Sequence, residues 1–140
     1  MNKGSTFRLS FHIFHPKMSA LEVESVLQMP IRFSQSVGDR RKTKSGKALS
    51  GDYKDTNVSF SLHESPLSFD DASVAIVIKE TVKLLDFNLL SRLIETGGRC
   101  NFLLGVFSSS SVMFEIDEDV TRLLGDSRIG IKFDFYGGED

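Results

Sequence analysis

Polar and apolar positions along the chain alternate in two distinct rhythms. Phe7, Leu9, Phe11 and Ile13 interleave with Thr6, Arg8, Ser10 and His12, the period of two expected of a strand with one buried face. Beyond His15-Pro16 the rhythm changes. Ser19 followed by Glu22 forms a capping box, and Leu21, Val23, Val26 and Leu27 supply an apolar stripe at helical spacing, so a short helix is predicted to stop before Pro30. "IRFSQSV" extends as a strand into a polar, Gly-punctuated stretch over 38–52, and "NVSFSLHE" alternates again through Val58, Phe60 and Leu62.

The second half is more helical. Asp70 and Asp71 favour a helix N-terminus, and Val74, Ile78, Val82 and Leu85 recur at i, i+4, i+8 and i+11. "VAIVI" alone fits a strand, but the Lys/Glu/Leu-rich continuation up to Gly97-Gly98 predicts one long helix or two consecutive ones. "RCNFLLGVFS" and "SVMFEI" then predict a hairpin around Ser108–Ser111, "DEDVTRLLGD" a short helix and "IGIKFDFYG" a last strand. The expected fold is α+β: a single compact domain over 1–140, a mixed or antiparallel sheet with helices packed on one face, in the order βα-ββ-αα-ββ-αβ. The stretches "FHIF…EVESVLQMPIRF" and "MFEI…EDVTRLLGDSRIGIKF" also read as two βαβ-like halves.

Composition narrows the classes. At 140 residues and 40% hydrophobic, with 12 Phe, the chain can bury one core. The net charge of −2 is unevenly spread, since residues 40–47 carry +5 and the remainder −7, and Glu115–Asp140 is −5. The single Cys100 forbids an intrachain disulfide. No apolar run has signal-peptide or membrane-spanning length, so the expectation is a cytoplasmic protein with no membrane partner.

Five of the 17 Lys and Arg fall within "GDRRKTKSGK", Gly38–Lys47. A phosphate-binding P-loop requires G-x-x-x-x-G-K-[ST], whose glycines let backbone N–H groups wrap the phosphates. Here Arg41 stands where the first Gly belongs and Ala48 where the hydroxyl belongs, so the motif fails twice. Nucleic-acid binding would set Arg40, Arg41, Lys42, Lys44 and Lys47 on phosphates. Stacking aromatics usually accompany such contacts, and none lies between Phe33 and Tyr53.

Other chemistries are weaker. His12 and His15 are three apart on a strand, so they project to opposite faces, and neither they nor His63 completes a metal set. Glu115, Asp117, Glu118 and Asp119 lack calcium-loop spacing, and two of them fit the N-terminus of the next helix. No G-x-S-x-G elbow surrounds Ser108–Ser111, and Cys100 reads as a small buried hydrophobe. No cofactor, metal or catalytic residue is expected.

The succession "FRLSFHIF", "SALEVESVLQMPI", "VGD", "VSFSL" and "LLGDSRIGIKFDFYG" is similar to a bacterial domain-of-unknown-function family, number 4279. The likeness covers almost the whole chain and rests on the element order with Pro30, Gly38, Asp39, Leu124, Gly125, Asp134 and Tyr136. That family's strand tryptophan is absent here, and "SALEVE" replaces its acidic D-P pair. The resemblance implies a small α+β domain and brings no catalytic residues.

The functional expectation is therefore a non-enzymatic protein-protein interaction module, of the kind of an immunity or defence-associated protein. Its contact surface would be Glu115, Asp117, Glu118 and Asp119 with the tail residues Glu139 and Asp140, because complementary potentials speed encounter and choose partners. The alternatives are a nucleic-acid-binding accessory protein using the basic loop, and an enzyme whose site is assembled from distant residues. Self-association, with the basic loop of one copy meeting the acidic C-terminal third of another, is a further expectation.

Overall fold

The computed structural model describes residues 4–26 and 30–137. Leu27 of the expected helical stripe and the tail acids Glu139 and Asp140 lie outside them. The elements run β1 (Thr6–His15), α1 (Ala20–Glu24), β2 (Ile31–Gln35), β3 (Arg40–Lys42), β4 (Ala48–Asp52), β5 (Thr56–Phe60), β6 (Leu67–Ser68), α2 (Val74–Val82), α3 (Phe87–Glu95), β7 (Arg99–Ser108), α4 (Glu118–Asp126) and β8 (Ile129–Gly137). The architecture is α+β, one compact domain built on a mixed sheet.

Strand β1 lies at the sheet's centre because it is the most strictly alternating segment. Phe7, Leu9, Phe11 and Ile13 are buried beneath the helices, while Arg8, Ser10 and His12 point to the other face. The strand order is β2-β5-β1-β7-β8, with β6 pairing with the start of β1. All these neighbours are antiparallel except β7 and β8, which run parallel across the connection through α4. β1 and β2 also run parallel to one another, with β5 inserted between them.

The helices cover one face. α1 carries the expected capping box, Ser19 with Glu22, and buries Ala20 and Val23. Leu21, placed in its apolar stripe by sequence, is 78% exposed, so the buried stripe is narrower than expected. The long helical region is two helices. α2 begins at Val74 behind Ser73, whose hydroxyl accepts from the N–H of Ile76, so the cap is Ser73 and not Asp70 or Asp71. α3 is capped by Asp86, whose carboxylate accepts from the N–H groups of Asn88 and Leu89. It ends in a Schellman motif, in which Gly98 N–H donates to the Leu93 carbonyl and Gly97 N–H to that of Ile94. Gly97 there has φ of 108°, which only glycine adopts without strain.

Four phenylalanines, Phe7, Phe11, Phe60 and Phe102, fill the centre of the core. Each contributes about 1.5–3 kcal/mol on burial. Phe11 and Phe102 meet edge to face at 5.0 Å.

Three expectations are corrected. Ser108–Ser111 does not turn a hairpin: both edges of β7 are already taken, by β1 and β8, so Val112–Ile116 finds no strand to pair with. It runs as irregular chain, packing Val112, Phe114 and Ile116 against the core while Met113 points out. Its in-out alternation is that of a strand without the ladder. The same finding corrects the second βαβ-like half, whose first strand is β7 and not Met113–Ile116. The stretch over 38–52 is likewise not a loop but a two-stranded hairpin, β3 with β4, that leaves the sheet as an arm.

Candidate anion-binding cleft

The arm is anchored at its root. Gly38 N–H donates to the Tyr53 carbonyl at 3.0 Å, and Tyr53 N–H to that of Asp39 at 2.9 Å. At the tip, Thr43 N–H donates to Lys47 C=O and Gly46 N–H to Thr43 C=O, with Gly46 at φ of 92°. Such a tight turn favours glycine. Along the arm, Arg40 Nε donates to the Leu49 carbonyl at 2.8 Å and Arg41 to that of Ser50 at 3.3 Å. These bonds extend the side chains across β4.

Alternation along β3 turns Arg40 and Lys42 to one face and Arg41 to the other, and the tip turn carries Lys44 and Lys47. Arg40, Lys42 and Lys44 line a cleft between the arm and the helix-free face of the sheet; Arg41 and Lys47 do not. The sheet supplies the floor with Arg8, Ser10, His12, Arg32, Ser34, Gln35, Ser59 and Leu103. Phe33 and Tyr53 complete the walls, and Asp39 is the lone carboxylate. The cleft encloses about 1110 Å³ and is open to solvent.

Its electrostatics are cationic. The described residues contain two ion pairs, Arg122 with Glu118 and Arg128 with Glu95, and neither involves a cleft cation. The His12 imidazole is held below its usual pKa by burial first, then by the positive charges of Lys132 and Arg32. It lies 3.0 Å from the Ser10 hydroxyl. Arg8 donates through one terminal nitrogen to the Glu64 carbonyl at 3.0 Å. Among the described residues, the buried side-chain atoms without a partner are Arg8 Nε and Asn57 Oδ1, and both belong to strands of this face. Buried polar atoms are rarely left unpaired unless water or a ligand completes them.

Aromatic rings continue across the same face. Phe107 and Tyr136 stack at 4.8 Å and 9°, and their cross-strand register places them on the Arg8 side of the sheet. Phe14 stacks with His12 at 6.3 Å and carries the Arg99 guanidinium 4.7 Å above its ring.

The acidic set is elsewhere, in the helix layer. Asp117 caps α4 by accepting from Val120 N–H at 3.0 Å, and Glu118 pairs with Arg122. Glu115 and Asp119 are exposed. Glu115 and Asp117 border a shallow depression of about 290 Å³ with Phe69, Val74, Met113 and Phe114. His12 and His15 do lie on opposite faces, and the described residues contain no group of three or more His, Cys, Asp or Glu arranged to hold a metal ion. Cys100 is buried, with its thiol pKa pushed up to about 11 by that burial. Ser108 bonds to the backbone of Ser110 and to the hydroxyl of Ser5.

Sequence reasoning missed Arg8, Arg32, Phe33 and Tyr53 as members of one site. The absence of aromatics inside the basic run weighs against stacking in one dimension only, because the fold brings rings from β2 and from beyond β4 to the arm's cations. The signal was present in β1, where Arg8, Ser10 and His12 are the polar positions of an otherwise apolar strand.

No family model matches the chain, and neither a curated protein nor a solved structure was found to match it.

Proposed function

We propose that the protein is a non-catalytic binding module whose cleft takes single-stranded nucleic acid, phosphates lying along the arm and bases against the open sheet. The observation that carries this reading is the convergence of Arg8, Arg32, Arg40, Lys42 and Lys44 with Phe33 and Tyr53 around one carboxylate, Asp39. Cations with interleaved rings are the chemistry of sequence-tolerant single-strand binding. A cleft of about 1110 Å³ is at the upper end of small-molecule pockets and suits a segment of polymer. A buried, high-pKa Cys100 and serines engaged with the backbone support binding over covalent catalysis.

The test compares equal charge changes on the two faces of the arm by fluorescence anisotropy with a labelled single-stranded oligonucleotide. Lys42→Glu with Lys44→Glu should weaken binding by about 10- to 100-fold, whereas Arg41→Glu with Lys47→Glu should weaken it by less than about threefold. Equal losses from both pairs would mean that only net charge matters, and the cleft would not be the site.

A second reading uses the acidic surface to hold a basic protein partner, as an immunity protein would. It is favoured by one observation: Met113, 95% exposed, projects beside Glu115 and Asp117. An apolar tip rimmed by acids is the composition of an interface centre. Kinship with the 4279 family is part of the proposal as well, and contributes no residue to either reading.

A further inference from the structure

β8 ends the strand path, and no strand of the described residues pairs with its outer edge. It is nine residues long, contains no proline, and leaves Phe133 46% and Phe135 64% exposed on the helix side, where the Phe114 ring lies 6.4 Å from that of Phe133. Those two rings stack at 6.3 Å. An unprotected, aromatic edge of this length is a template for another strand.

We propose that the occupant is β8 of a second copy, paired antiparallel about a twofold axis at Phe133. Phe133 is the midpoint of Ile129–Gly137, so this register alone overlaps the whole strand. It sets Lys132 of each copy against Asp134 of the other, Phe133 against Phe133, Ile131 against Phe135 and Gly130 against Tyr136. Every pair lies on one face, since opposed residues of an antiparallel pair share a side. The charges select the register. Sliding the axis by one residue toward the N-terminus opposes Lys132 to itself, and sliding it one toward the C-terminus opposes Asp134 to itself; like charges directly opposite destabilise a sheet and unlike ones stabilise it. The aromatic pairs on the helix side remove Phe133 and Phe135 from water, and the Tyr136 ring covers a strand glycine. An isologous contact of this kind closes on itself and leaves no free β8 edge to propagate further pairing.

Sedimentation of the purified chain tests it. The wild type should sediment at twice its 15.6 kDa mass. Lys132→Asp alone or Asp134→Lys alone places like charges opposite one another twice and should raise the dimer dissociation constant by at least about tenfold. The double exchange, Lys132→Asp with Asp134→Lys, recreates the complementary pairs and should return it to within about threefold of the wild type. Circular dichroism of each variant should match that of the wild type, as expected of surface changes that leave the fold intact. A monomeric wild type at about 100 μM, where contacts of this size associate, or a double exchange no tighter than the singles, overturns the proposal. So does a dimer that is lost on Lys42→Glu with Lys44→Glu but kept on Lys132→Asp, because the arm would then be the contact.

Discussion

His15 shows how one side chain fastens two elements. It ends β1 on the helix side and is 2% exposed. Nδ1 accepts from the N–H groups of Lys17 and Met18, at 3.0 and 2.9 Å, turning the chain toward α1. Nε2, which must then carry the proton, donates to the Thr96 hydroxyl at 2.8 Å at the end of α3. Thr96 in turn donates to the carbonyl of Arg92 or Leu93. Every donor and acceptor is used, and a second proton on Nδ1 would break two bonds. Burial holds the imidazole below its ordinary value of 6.5, with Glu22 opposing the shift and Lys17 adding to it. In the unfolded chain His15 takes up its proton near pH 6.5, whereas the folded chain resists until lower pH. Stability is therefore level above about pH 6.5 and falls on acidification through the lowered folded value. His12 shifts the same way. Urea midpoints at pH 7.5 and 5.5 should thus drop on acidification, and His15→Gln should flatten the drop while lowering the pH 7.5 stability by about 1–3 kcal/mol. Equal drops in the variant and the wild type would assign the pH response to other groups.

At the level of elements, legibility in the sequence followed burial. β1, α2 and α3 each present one apolar face to the core, so their periods of two and 3.6 survive in the sequence. β3 and β4 have no buried residue at all, and a strand without an inside has no alternation to read. Val112–Ile116 errs in the opposite direction, being alternately half-buried and exposed but without a neighbour to complete a ladder. The site was half legible for the same reason. The arm's cations announced themselves by composition, while Arg8 and Arg32 were the polar positions of strands whose partners depend on topology. An arm with no buried residue should also be dispensable for folding. Replacing residues 40–52 by Asn-Gly between Asp39 and Tyr53, whose backbones are already joined at 2.9 Å, should change the unfolding free energy by less than about 1 kcal/mol. The shortened protein should melt cooperatively and lose oligonucleotide binding. A broadened or abolished melt would make the arm part of the folded core.

For the whole molecule, the proposed polyanion binding has to be squared with a net charge of −2. Position resolves it. The cleft lies on the open face of the sheet, and Glu115, Asp117, Glu118 and Asp119 lie in the helix layer on the other. Layers of a domain are stacked about 10 Å apart, and charges are screened over about 8 Å at physiological salt. Phosphates seated among the cleft cations therefore feel those cations far more than the distant acids. The proposed twofold pairing of β8 would preserve this separation, because it would keep both open faces on one side and both helix layers on the other. Screening also predicts the salt response. If Arg8, Arg32, Arg40, Lys42 and Lys44 each neutralise a phosphate, the slope of log K against log salt should be about −3.5, at about −0.7 for each contact with a single strand. Affinity would then fall by about 100-fold between 50 and 200 mM salt. Removing Lys42 and Lys44 by mutation to Ala should bring the slope to about −2, whereas Arg41→Ala with Lys47→Ala should leave it unchanged. A wild-type slope near −1 would mean that a single cation touches the strand, and that the cleft as a whole does not.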